Sequence, residues 1–199
     1  MRQHELLVID GLAKLLEAHS IQCKIFADDV KIYITVLNAN CTSKLQAALN
    51  LISAWADDWQ LSISISKCSI LNIGSKAISV SYHIRGNILP HVKSCRDLGV
   101  MLTSELSPSV HISEINVNGH QRANAILRCL ETRDRDLLVR AFVTYVRTLM
   151  EYNSVVWSHD LKRDIEAIEK VQRRFTKKDR YTGETILWPK TEIGKLAQP

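Results

Sequence analysis

The chain has 199 residues, 46% hydrophobic and 24% charged, which is enough apolar side chain for a buried core and excludes a disordered or fibrous class. No apolar run is long enough to cross a bilayer and MRQHELLVID lacks a secretory-leader pattern, so an intracellular protein (cytoplasm or nucleus) with no membrane partner is expected. Lys and Arg number 26 against 21 Asp and Glu, and the formal net charge of +5 is matched by the segment 122–180 alone, which holds 14 basic and 9 acidic residues; a one-sided excess of this kind suits a polyanion partner or a solvated helical face.

Residues 3–18 carry Leu6, Leu7, Leu12, Leu15 and Leu16 at helical spacing, with Gly11 as the weak point. Then the period changes to two. Ile21, Cys23 and Ile25 alternate with polar residues, as do Val30, Ile32, Ile34 and Val36, which predicts a β-hairpin with Ala27-Asp28-Asp29 at its tip. Thr42 or Ser43 is the expected N-cap of a second helix, whose apolar positions Leu45, Ala48, Leu49, Ile52, Trp55, Ala56 and Trp59 place both tryptophans in the core against the sheet. Residues 61–103 read as short strands, LSISISK, SILNIG, ISVSYHIRG and LGVML, separated by turns.

Beyond Pro108 the pattern is helical. Leu137, Leu138, Ala141, Phe142, Tyr145, Val146 and Leu149 form one predicted stripe, and Leu161, Ile165, Ile168 and Phe175 another. Residues 181–199 have no clear period and read as an irregular tail. Five scattered cysteines (Cys23, Cys41, Cys68, Cys95, Cys129) without a CxxC pair argue against a disulfide framework and against structural zinc.

Two adjacent carboxylates at a hairpin tip admit two readings. One is a solvated polar turn. The other is a divalent-metal site, because carboxylates on a rigid strand-turn-strand can hold Mg²⁺, and two such ions about 4 Å apart can activate a hydroxyl and stabilise a departing pyrophosphate.

FADD with VKIY, a long helix ending at Trp59, LSISISKCSILNIG and CRDLGVMLTSEL together resemble the C-terminal part of a reverse transcriptase palm, of the non-LTR (LINE-type, jockey- or CR1-like) retrotransposons. HISEINVNGHQRANAILRCL, LVRAFVTYVRTLMEYNSVVW and DIEAIEKVQRRFTKK are similar to the helical thumb that follows such palms, with EYxxxVW and VQRRFTK the most specific strings. The resemblance covers about residues 5–178 and implies an α+β fold: a partial polymerase palm (an antiparallel sheet with packed helices) over 1–105, then an α-helical thumb over 106–180.

By position in the family motifs, it implies that Asp28 and Asp29 are the catalytic, metal-binding pair, with Asp28 the more direct ligand. Lys67 matches the motif D lysine, and Leu98-Gly99 the primer-grip turn. Arg173, Arg174, Lys177 and Lys178 would then lie along a nucleic-acid backbone. The implied cofactor is Mg²⁺ or Mn²⁺, the implied partners are an RNA template and a DNA primer, and the implied reaction is template-directed nucleotidyl transfer to a primer 3′-hydroxyl. His111 matches a thumb-entrance histidine with no assigned chemistry.

The chain also departs from the family pattern. Asp97 stands where an aromatic is expected before Leu98-Gly99, and Asp10 reads as structural rather than as the motif A carboxylate. Motif A, the Gln-Gly segment of motif B and the fingers are not found, and the tail after Arg180 is unlike the family. The expectation is therefore a protein inert as a polymerase by itself. The alternatives are a non-catalytic nucleic-acid-binding protein built on the thumb, or a transposon remnant without a selected role.

Overall fold

The computed structural model describes residues 3–36, 39–74, 80–130, 134–157 and 162–178, the side chains of 3–8, 39–40 and 177–178 lying outside the description. Within these residues the chain mixes helices with small two-stranded sheets, three antiparallel and one parallel, as an α+β composition requires. No helix among the described residues is long and apolar enough to cross a membrane. The predicted irregular tail at 181–199 falls outside the described residues, as does Leu161.

Two compact units divide the chain, Met1–Asn72 with Lys76–Val92, and Ile73–Ser75 with Lys93–Pro199. The expected boundary at 105/106 differs from this division. The strands at 94–103 belong with the helices that follow them, for reasons that lie in their side-chain contacts described below.

In the first unit, α1 (Gln3–Ala18) and α2 (Ala39–Asp58) flank the hairpin of β1 (Gln22–Phe26) and β2 (Asp29–Tyr33) in sequence. Leu12 and Leu16 of α1 and Ala48 of α2 are fully covered, and Cys23, Ile25 and Ile32 from one face of the hairpin pack on them with Ile52 and Trp55. Ile32 also touches a second cluster of Leu49, Tyr82, Ile84 and Leu89, so the hairpin is seated on both groups. Asp10 lies on the exposed side of α1 and pairs with Lys14 at 2.7 Å, one turn away.

Three local expectations change. Helix α2 begins at Ala39, so Thr42 and Ser43 sit inside its first turns rather than at the cap. Trp59 is 53% exposed just beyond the helix, and only Trp55 joins the core. LSISISK forms no strand: Ile63 and Ile65 pack inward on the Leu49 cluster while Ser62, Ser64 and Ser66 face out, and residues Ile65–Lys67 make one 3₁₀ turn. Alternating burial satisfies the apolar side chains there without a partner strand among the described residues.

The remaining strands of this unit are short: β3 (Ile70–Leu71) runs parallel to β6 (His91–Val92), and β4 (His83–Ile84) pairs with β5 (Asn87–Ile88). Gln46 fastens α2 to β4, its amide donating to the His83 carbonyl and accepting from the His83 N–H, both at 2.9 Å.

The second unit joins the hairpin of β7 (Ser94–Asp97) and β8 (Val100–Thr103) to helices α3 (Ser109–Cys129), α4 (Arg135–Phe142), α5 (Thr148–Glu151), α6 (Ser154–Trp157) and α7 (Lys162–Lys178). Asp134 caps α4, its Oδ1 accepting from the N–H groups of Asp136 and Leu137. The core takes Ile112, Ile115 and Ile126 from α3, Leu138 and Phe142 from α4, and Ile168, Val171 and Phe175 from α7. Phe142 and Phe175 meet at 4.6 Å between ring centroids.

From Val143 to Arg147 the helix widens to π geometry, and Arg122 of α3 donates to the Tyr145 carbonyl there at 3.0 Å. Within the predicted stripe Leu138, Phe142 and Val146 turn inward, whereas Leu137 and Tyr145 are exposed.

Candidate metal centre and nucleic-acid surfaces

In the first hairpin Phe26 stands opposite Asp29, which leaves Ala27-Asp28 as a two-residue loop. Ala27 takes the positive φ, +53°, a conformation that favours Gly at this place in a tight hairpin and costs an alanine about 1 kcal/mol. Asp28 is the second loop residue and Asp29 the first of β2, and both are exposed. Asp29 shares the outer face of the sheet with Phe26, Lys24, Lys31 and Tyr33, Lys24 lying directly across from Lys31. Phe26 is 62% exposed on that face.

Asp28 and Asp29 suit a hard divalent cation in kind, since Mg²⁺ is commonly held by one or two carboxylates with water completing its shell. In number they fall short of a two-ion centre. Among the described residues no group of three or more His, Cys, Asp or Glu gathers here or elsewhere. Lys67 ends the 3₁₀ turn of the same unit and is exposed. Among the described residues no hydrogen bond or ion pair joins it to either carboxylate.

Leu98-Gly99 is the two-residue loop between β7 and β8, closed by the Asp97–Val100 pair. Both loop residues have positive φ, +45° and +85°, the pattern of a type I′ turn that matches the twist of a hairpin. A Cβ on Gly99 would lie 3.0 Å from Cε1 of Tyr152, whose hydroxyl donates to the Leu98 carbonyl at 3.1 Å.

The Tyr152 carbonyl in turn accepts from Trp157 Nε1 at 2.7 Å, and the Trp157 ring meets His111 edge-on at 5.6 Å. His111 Nδ1 accepts the Met101 N–H at 3.3 Å. The chain of contacts thus returns to the hairpin on which it began, and Arg96 adds an ion pair to Glu114 of α3. This ring of contacts fixes β7–β8 to the helices. It gives the EYxxxVW string a structural role and makes His111, to which sequence reading gave no chemistry, the link between strand and indole.

His111 is buried, and its Nε2 has no hydrogen-bond partner among the described residues. Burial, together with nearby Arg96 and against the opposing pull of Glu114, holds its pKa below the usual histidine value. A base with a lowered native pKa binds fewer protons folded than unfolded, so its contribution is complete above the unfolded value and is lost as pH falls through the native one. Stability to urea should therefore drop on going from pH 7 toward pH 5, and His111→Gln should flatten part of that slope. His120, also held low, contributes in the same direction. An unchanged slope in His111→Gln would remove His111 from the account.

The basic residues of α7 divide. Arg173 is ion-paired with Glu169 one turn back, whereas Arg174 is exposed and its charge helps lower the pKa of His120 of α3. Lys177 and Lys178 end the helix, with side chains outside the described residues. Asp164, in the first turn of α7, is buried and accepts from the Ser109 hydroxyl at 3.2 Å, tying the starts of α3 and α7 together. Asp28, Asp29 and Lys67 therefore lie in the first unit, and Leu98, Gly99, Arg173 and Arg174 in the second. Comparison with protein-family models, curated proteins and solved structures found no match to this chain.

Proposed function

We propose that the chain derives from the palm and thumb of a non-LTR retrotransposon reverse transcriptase and keeps two partial capacities of that enzyme. These are weak divalent-cation binding at Asp28 and Asp29, and nucleic-acid contact by the helical unit. The observation that carries the proposal is the hairpin tip: two exposed carboxylates, Asp28 in the two-residue loop and Asp29 at the start of β2, beside an unfavourable φ at Ala27. Mg²⁺ or Mn²⁺ would be held by Asp28 and Asp29, with water as the remaining ligands, and would supply charge neutralisation at a phosphoryl group. Two-ion nucleotidyl transfer needs further carboxylates, so no transfer step is assigned to these residues alone.

Two measurements test this. Mn²⁺ added to the whole chain should broaden NMR signals around Ala27–Asp29, and Asp28→Asn with Asp29→Asn should abolish the broadening. Broadening that persists in the double variant removes the metal site. Primer extension on an RNA template with a DNA primer, in Mg²⁺ or Mn²⁺, should give no product. Extension sensitive to Asp28→Asn would show a complete active centre instead.

A non-catalytic nucleic-acid-binding role is the second reading, favoured by the basic excess between Arg122 and Arg180. Its mark is affinity for an RNA–DNA hybrid that falls steeply with salt.

A further inference from the structure

Helices α3 and α7 touch at Gly119. A Cβ there would stand 3.4 Å from Val171 Cγ1 and 3.1 Å from Met150 Sδ, so the helices approach with no side chain of α3 between them. The residues next to this crossing carry nitrogen bases: His120 follows Gly119, Lys170 precedes Val171, and Arg174 lies one turn farther along α7. His120 is half-buried, and Lys170 and Arg174 are exposed. Burial, then Arg174, then Lys170 depress the imidazole pKa, in keeping with these positions flanking one crossing.

Several other charges on the surrounding elements have partners of their own. Arg147 pairs with Glu151, Arg173 with Glu169 and Arg96 with Glu114, while Arg122 binds the Tyr145 carbonyl and Asp164 binds Ser109. Arg135, Asp136 and Arg140 of α4, and Lys162, Arg163 and Glu166 of α7, are further charged groups on the neighbouring helices. In the free protein Lys170 and Arg174 oppose protonation of the His120 ring. An oxyanion placed among them reverses that effect and gains charge-assisted hydrogen bonds.

We propose that His120, Lys170 and Arg174 form one phosphate-binding site across the α3–α7 crossing, whose grip tightens when His120 takes up a proton. The phosphate has two possible sources, a nucleic-acid backbone or a free phosphate such as pyrophosphate. Only the first rests on the nucleic-acid reading above, with which the site shares Arg174.

The test uses the full chain. The His120 ring is titrated by NMR between pH 5 and 8 with and without inorganic pyrophosphate, and binding of a labelled RNA–DNA hybrid is measured at pH 5.5 and 8 at fixed ionic strength. Pyrophosphate should raise the His120 pKa by about one unit, and hybrid affinity should be about five- to tenfold higher at pH 5.5. His120→Gln should abolish that pH dependence. Lys170→Ala and Arg174→Ala, both at exposed positions, should weaken binding at each pH and raise the pKa of free His120, which a purely structural role for these residues would leave unmoved.

A pyrophosphate response without hybrid binding supports the site with free phosphate as its ligand, and overturns the nucleic-acid reading instead. A pH-dependent hybrid response without pyrophosphate binding supports the site with the backbone as ligand. No response to either, or hybrid binding whose pH dependence survives His120→Gln, overturns the site while leaving salt-dependent nucleic-acid binding untouched.

Discussion

Trp157→Ala is expected to lower the stability of the helical unit by about 3–5 kcal/mol, the range for emptying a large buried aromatic site. Trp157 is 3% exposed within the main cluster of that unit. Its loss removes more than volume. The Tyr152 carbonyl loses its indole donor, and the His111 ring loses the edge that it packs against. Trp157→Phe keeps much of the packing and forfeits the hydrogen bond, so it should cost about 1–2 kcal/mol. Urea unfolding of the two variants separates the parts, and a loss below about 1 kcal/mol in Trp157→Ala would show that the ring of contacts is incidental to the fold.

Gly99→Ala is the second large effect, a loss of about 2–3 kcal/mol. Two costs add. The φ of +85° disfavours any L side chain by about 1–2 kcal/mol, and the new methyl would meet Tyr152 Cε1 at 3.0 Å. Tyr152 is 52% exposed, and the bond from its hydroxyl to the Leu98 carbonyl is what opposes a shift of the ring. A double-mutant cycle isolates the steric part. With Tyr152→Ala already present, Gly99→Ala should keep only its backbone cost. Equal losses in both backgrounds would mean that the ring moves aside freely.

The sequence made the first hairpin and α2 readable because each buries one face against a neighbour close by in the chain. Period two over residues 21–25 and 32–36 and period 3.6 over 45–56 report that burial directly, with Val30 the exception at 39% exposed. Periodicity says which side of a segment is apolar and not what will cover it. Hence LSISISK alternates without becoming a strand, and Trp59 fits the helical spacing yet stands in solvent. The allegiance of β7–β8 was hidden for the same reason. It depends on Tyr152, Trp157 and Glu114, which lie far along the chain from the strands they hold.

At the candidate site, Asp28 and Asp29 were legible as a carboxylate pair. The residue that bends the chain to display them, Ala27, carried no signal, because alanine is not a marker of positive φ. His120 was equally silent in sequence, since the groups that give it a character come from another helix.

The hydroxyl of Tyr152 reaches a carbonyl 54 positions away in the chain. A contact of that span carries a larger loop-closure cost than the local contacts within the helices. Interactions that form after the rate-limiting step hold the native state by slowing escape from it rather than by hastening arrival. If the contact forms after the rate-limiting step, Tyr152→Phe should speed unfolding and leave refolding nearly unchanged, which stopped-flow kinetics would read directly.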